Sequence, residues 1–393
     1  MRLSHGLHLA YCTNIHRGES WAQTFDSLQR HTLAVRDRVS PGKSYAIGLR
    51  LGADAARELS DPSTLKAFRH WLDREQCYVF TINGFPYGRF HGGRVKEQVY
   101  APDWTAPERL EYTNLLFDLL GQIVPQGVEG SVSTVPVTFK GFDRSAAQIA
   151  GARAQLWHCV EHIERVSRAT GRMLHLGLEP EPLCHLETTE ETAEFFCQLR
   201  EDRPGDDRLD AHLGVNYDCC HLGVEFEEAP AALARLRDHR IRLSKIHLSN
   251  ALCVVPTAEA RAALAEFAEG VYFHQVVART ADGRLRRFKD LDLALEAAAA
   301  QAPSPDEEWR IHFHIPLHSA PTPQFGNTAG HLLGVLDAVA AAPQMCSHFE
   351  METYTWEVMP EELKSGDVVD QLVREYEWTC AQWAARGIKP LDV

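Results

Sequence analysis

No two of the ten cysteines stand at C-x-x-C spacing, which removes zinc-ribbon and thioredoxin-like redox motifs from consideration. Scattered, unpaired thiols suit a reducing compartment. Long apolar runs are missing too: no window approaches the ~18 uninterrupted apolar residues of a membrane-spanning helix. The opening MRLSHGLHLAYCTNIHRG lacks the basic stretch and continuous apolar segment of a secretory signal. A soluble, cytoplasmic protein with no membrane span is therefore expected. Positive charge is in deficit, 40 Lys and Arg against 54 Asp and Glu, for a net charge of −14. Nucleic-acid affinity rests on cations neutralising phosphates, so no nucleic-acid partner is expected. A basic run, Arg284, Arg286, Arg287 and Lys289, flanks an Asp-Gly turn and reads as a solvated hairpin without a functional role. The stretch TINGFPYG has neither GxGxxG nor Walker spacing, so a nucleotide site is not indicated.

What is present is an alternation of short apolar or β-branched runs with longer amphipathic segments. That is the sequence form of parallel strands joined by helical crossovers, an α/β architecture. Strand candidates cover residues 7–14, 44–51, 77–84, 130–137, 173–180, 212–218, 241–248, 309–316 and 347–354. Thr188 and Thr189 stand as N-caps before an acidic first turn. At 393 residues the chain exceeds the roughly 250 of a plain TIM (β/α)8 barrel, a fold that grows by loop insertion. The expectation is a single TIM-barrel domain over 1–393, with an extended loop at about 84–108 and a β-hairpin insertion at about 270–290. Nine strand candidates exceed the eight a barrel needs. The surplus lies between His247 and Glu352, where WRIHFHIP is assigned to the insertion and SHFEMETY to the eighth strand.

Four of the strands end in polar residues: Glu179, Asp218, His247 and Glu352. In a TIM barrel the C-terminal strand ends converge on one site, so these side chains are expected to meet. Singly, each reads as a cap, a salt-bridge partner or a satisfied core histidine. Together they would crowd three carboxylates at one mouth, which is costly without a cation. The oxygen-rich set with one imidazole suits Mn²⁺ or Mg²⁺, with Zn²⁺ or Co²⁺ as alternatives. His312 and His314 alternate onto one strand face and are candidates to join the metal site. The vicinal Cys219 and Cys220 read as packing residues.

The strings GLEPEP, NYDCCHLGVEFEE, KIHLSNAL and FEMETYTWEVMP resemble, in order and spacing, the metal-site segments of the xylose-isomerase-like superfamily. That superfamily includes ketose 3-epimerases and endonuclease IV. The resemblance implies metal ligation by Glu179, Asp218, His247 and Glu352, and contact of His221 with substrate or a second metal. More narrowly, YCTNIHRGESW, FTINGFPYGRFHG, VKEQVYAPDW, GSVSTVP and ETYTWEVMP resemble the EboE family of bacterial metabolite-traffic proteins, from Tyr11 to Pro360. This likeness implies a role in biosynthesis or export of a secondary-metabolite precursor, alongside other proteins of one gene cluster.

Three functions follow as expectations. In a metal-dependent isomerase or epimerase of a sugar or cyclitol, Glu179 and Glu352 would be the acid–base pair, and Lys245, on the same strand face as His247, would stabilise an oxyanion. A plain salt bridge of Lys245 to Glu181 or Asp218 is the competing assignment. A small polyhydroxylated metabolite would contact His221, His91 and Glu181, with His91 in an aromatic loop over the pocket. One metal ion suits this reading. An endonuclease-IV-like metallohydrolase acting on a phosphoester would use two or three ions, drawing on His91, His312, His314 and His318. Ser131, Ser133 and Thr134 stand where that pattern has a strand-four histidine, so a full trinuclear set is not indicated. A non-catalytic metabolite carrier would keep the metal for binding alone.

Overall fold

Runs of residues buried on both faces build the barrel, as parallel strands covered by helices require. The computed structural model describes residues 1–91, 95–268, 270–359, 364 and 366–391. In chain order its strands are β1 His8–Tyr11, β2 Tyr45–Arg50, β3 Cys77–Asn83, β4 Gly130–Thr134, β5 Leu174–Leu178, β6 Leu213–Asp218 and β7 Arg242–Leu248. Then follow β8 Ala251–Val254, β9 Val276–Arg279, β10 Leu285–Phe288, β11 Glu308–His314 and β12 Gly326–Asn327, before β13 His348–Met351. One eight-stranded sheet runs β1-β13-β7-β6-β5-β4-β3-β2 with every pair parallel. A parallel bridge between Cys12 and Gly48 draws its two edges together, giving the expected TIM barrel. Gly48 is required at that seam: a Cβ there would lie 2.0 Å from Glu350 Oε1 and 2.7 Å from the Tyr11 carbonyl oxygen.

Helices form the crossovers, and their ends follow from sequence. Helix Ala146–Thr170 opens on a reciprocal capping box between Ser145 and Gln148 and stops at Gly171, where φ is 66°. Thr188 and Glu191 make the same box for helix Thr189–Asp202.

Between β7 and β13 the chain leaves the barrel to form a five-stranded sheet, β10-β9-β11-β8-β12, with antiparallel pairing throughout. It has its own apolar core, including Leu252, Phe267, Trp309, Ile311 and Phe313. The hairpin β9–β10 turns at Asp282-Gly283, and β11 pairs with β9 and β8 rather than entering the barrel. This sheet is larger than the sequence pattern suggested. Only Ser249 and Asn250 separate β8 from the end of His247's strand, so its apolar run fuses with that of β7 when read linearly. The basic run of the hairpin is not simply solvated either. Arg286 meets Glu307 at 2.6 Å, while Arg287 meets Glu187 of the barrel at 2.7 Å and also Glu225. The Arg287 pairs clamp the insertion onto the barrel top, and the Arg286 pair lies within the insertion. The tract after β3 joins them, as the Val95 and Lys96 amides donate to the Val271 carbonyl at 2.8 and 3.0 Å.

At the opposite end, the barrel floor encloses His8, His175 and His348, with His175 and His348 rings 5.4 Å apart. Burial pushes His8 and His175 down to about 4 and His348 well below its ordinary value. In the unfolded chain such groups take up protons near pH 6.5, whereas the folded protein refuses them until about pH 4. Their effect on stability is therefore nil above pH 6.5 and increasingly destabilising as pH falls toward 4. Between pH 7 and 5 the two rings at about 4 are expected to remove about 2 kcal/mol each. Urea midpoints at both pH values check this, and His175→Leu should flatten the slope; a pH-independent midpoint would refute it.

Candidate metal centre

Glu179 follows the end of β5, Asp218 closes β6, His247 is the penultimate residue of β7, and Glu352 follows β13. Parallel strands bring these ends to one barrel mouth, where all four side chains are buried. His247 Nδ1 lies 2.9 Å from Glu352 Oε2, 3.1 Å from Glu179 Oε1 and 3.3 Å from Asp218 Oδ2. One ligand atom from each of the four falls within 4.8 Å of the others. Glu179 Oε2 and Asp218 Oδ2 are buried without a hydrogen-bond partner. Orphaned, buried carboxylate oxygens around one imidazole nitrogen are what a divalent cation would satisfy. Burial pushes the His247 imidazole down, but Glu352 and Glu179 push it further up, well above its ordinary value. Its positive charge thus stands among the carboxylates where a cation would otherwise balance them. The three oxygens and one nitrogen fit Mg²⁺, Mn²⁺, Zn²⁺ or Co²⁺.

A second group adjoins the first and shares Asp218. His221 Nδ1 donates to the Pro180 carbonyl at 2.9 Å, and His314 Nδ1 to the Glu352 carbonyl at 2.9 Å. His312 Nδ1 pairs with Gln275 Oε1 at 2.7 Å. Because carbonyl oxygens only accept, each ring carries its proton on Nδ1 and presents Nε2 as a lone pair. The Nε2 atoms of His312 and His314 stand 3.3 Å apart. Asp218, His221 and His314 form one set with ligand atoms inside 4.8 Å, and Cys220, His312 and His314 another. Cys220, read from sequence as packing alone, therefore reaches the histidines, because the chain turns into helix Cys219–Val224 immediately after Asp218 instead of continuing as a strand.

No protein-family model matches this chain, and no curated protein matches it in sequence. Solved structures do match it in shape. An L-ribulose 3-epimerase aligns with a TM-score of 0.53 at 11% identity, covering 98% of this chain and 96% of its own. A xylose isomerase-like TIM barrel protein from Mycobacterium smegmatis in complex with magnesium aligns with a TM-score of 0.53 at 13% identity, covering 98% and 99%. The fold is that of the xylose-isomerase-like TIM barrels.

Within this xylose-isomerase-like barrel, the remaining residues singled out from sequence are placed as follows. Lys245 points into the barrel below His247, where Nζ meets Glu350 Oε2 at 2.6 Å and Ser133 Oγ at 3.1 Å. Its partner is neither Glu181 nor Asp218, and it does not line the pocket. His91 is occupied at both nitrogens, by the Asn14 carbonyl at 2.6 Å and the Tyr272 hydroxyl at 2.8 Å. It braces Asn14, whose Nδ2 donates to Glu352 Oε1 at 2.7 Å. Glu181 does line the pocket, accepts from the Tyr100 hydroxyl at 2.6 Å, and is pushed up to about 8 by burial. His221 and His312 face the pocket as well. His318 joins neither ligand group among the described residues.

Sequence reasoning missed Glu350. Its Oε2 lies 3.0 Å from His247 Nε2, fixing the ring so that Nδ1 faces the three carboxylates. Burial pushes Glu350 up, but Lys245 and His247 hold it down at about 2. The signal was available: Glu350 stands two residues before Glu352 and so on the same strand face, opposite His247 in register.

Proposed function

We propose that the protein is a metal-dependent isomerase or epimerase acting on an α-hydroxy-carbonyl group of a small molecule, of the sugar or cyclitol class. The observation that carries this reading is the placement of Glu179 and Glu352, from either side of β7, within about 3 Å of one imidazole nitrogen. A divalent ion held by Glu179, Asp218, His247 and Glu352 would polarise a substrate carbonyl and acidify the adjacent C–H. Glu179 and Glu352 then serve as the two proton carriers, one removing a proton from carbon and the other returning it. Asn14 and Asn83 both donate to Glu352 Oε1, orienting the carboxyl so that Oε2 faces His247 Nδ1. The loop after β3 and the insertion line a cavity of about 60 Å³ above Glu179 and Glu352, a space on the scale of a small-molecule head group. The EboE-like strings support a setting in biosynthesis or export of a metabolite, with partners from the same gene cluster.

The test is solvent exchange. Metal-loaded protein in D2O should place deuterium at the carbon next to the carbonyl of a bound hydroxy-ketone or inosose. Binding without any uptake would overturn catalysis and favour a carrier.

A second reading is supported by the three imidazoles whose Nδ1 atoms are pinned. Two of them, His221 and His314, form a set with Asp218 that fits a second cation, and two ions suit hydrolysis of a small phosphoester. Two metals per chain with phosphoester cleavage and no deuterium uptake would select it.

A further inference from the structure

We propose that the substrate is amphipathic, an oxygen-bearing head joined to a flat apolar body, and that two aromatic walls select that body. This inference rests on the reading of the four-residue centre at the barrel mouth as a hydroxy-carbonyl site and concerns what lies above it. One ring cluster holds Phe85, Tyr100 and Phe273: Phe85 meets Tyr100 edge-on at 6.1 Å, and Phe139 stacks on Tyr100 at 4.6 Å and on Phe273 at 5.9 Å. The other holds Phe90, Tyr272 and Tyr354, each pair of rings 5.3 Å apart. All six side chains line the space above Glu179 and Glu352.

The Tyr100 and Tyr272 hydroxyls, Lys96 and Asn83 are engaged with neighbours. The Tyr100 hydroxyl donates to Glu181 at 2.6 Å and accepts from Gln275 Nε2 at 2.8 Å. The Tyr272 hydroxyl is paired with His91 Nδ1 at 2.8 Å, and Lys96 Nζ with Asp290. Asn83 donates to Glu352 at 3.4 Å and accepts from the Phe85 amide at 3.2 Å. Asn14 Oδ1 is left open, beside Glu352. Polar recognition therefore concentrates at the metal end, and ring faces make up the walls. A free polyol filling this space would press hydroxyls against aromatic carbon and lose their hydration without replacement. A planar apolar group gains dispersion contact and ring stacking from the same walls.

Three ketones separate the outcomes. Hydroxyacetone and 2-hydroxyacetophenone share one α-hydroxy-carbonyl head and differ by a methyl against a phenyl group; D-fructose carries hydroxyls along its length. Calorimetric titration of the metal-loaded protein should show 2-hydroxyacetophenone binding about tenfold or more tighter than hydroxyacetone, with D-fructose no tighter than hydroxyacetone. Phe90→Ala should shrink the gap between the first two while elemental analysis shows unchanged metal. Equal affinity for those two, or D-fructose as the tightest ligand of a metal-loaded protein, would overturn this proposal and leave the metal-site reading standing. Protein that retains no metal would overturn both.

Discussion

The double variant Glu179→Gln, Glu352→Gln is expected to emerge folded and without metal. Each substitution keeps the side-chain shape and replaces an anionic ligand oxygen by a neutral amide, so affinity should fall by more than the roughly 10–100-fold typical of losing a supporting residue. Deuterium uptake should fall with it, since both proton carriers are gone. The thermal midpoint of metal-free protein should hold or rise, because the four buried carboxylates of Glu179, Asp218, Glu350 and Glu352 share the charges of His247 and Lys245. Elemental analysis beside a melting curve reads both effects. Unchanged metal content would refute the assignment of these ligands.

Removing the cation beneath the centre should act in the opposite sense, on stability first. Lys245 and Glu350 are buried and 2.6 Å apart, and burial alone would push the ammonium down were Glu350 not holding it up. Lys245→Met leaves Glu350 with one partner fewer in a dry interior, a change that costs about 3–5 kcal/mol when a buried pair is broken. The double variant Lys245→Met, Glu350→Gln should lose less than the sum of its parts, with a coupling of about 1–3 kcal/mol. Urea midpoints at unchanged slope give these values. Additive losses would mean that the two charges do not support each other. Glu350→Gln should also weaken metal binding, because His247 loses the acceptor that orients it; a metal affinity equal to that of the parent would contradict that role.

The barrel was legible because its signals are local. Apolar strands alternate with capped helices, and the polar residues at strand ends mark one mouth, so Glu179, Asp218, His247 and Glu352 were found from position and do lie together. Lys245 was also located correctly on its strand face, but its partner was not. That partner depends on which strand lies beside β7, and β13 arrives there from a hundred residues further on. The extent of the insertion was hidden for a related reason: β8 and β11 are neighbours only after folding, with two helices and a hairpin between them in sequence. His91 was misjudged as a pocket residue because no linear pattern shows that Asn14 and Tyr272 close on both of its nitrogens.

The two ligand groups have different parentage within one chain. Glu179, Asp218, His247 and Glu352 belong to the barrel, whereas His312 and His314 arrive on β11, a strand of the inserted sheet. The four-residue barrel site is complete without β11, while both adjoining sets take His314 from the segment that Arg287 clamps to the barrel. Editing the insertion therefore changes the adjoining sets while leaving the four barrel residues untouched.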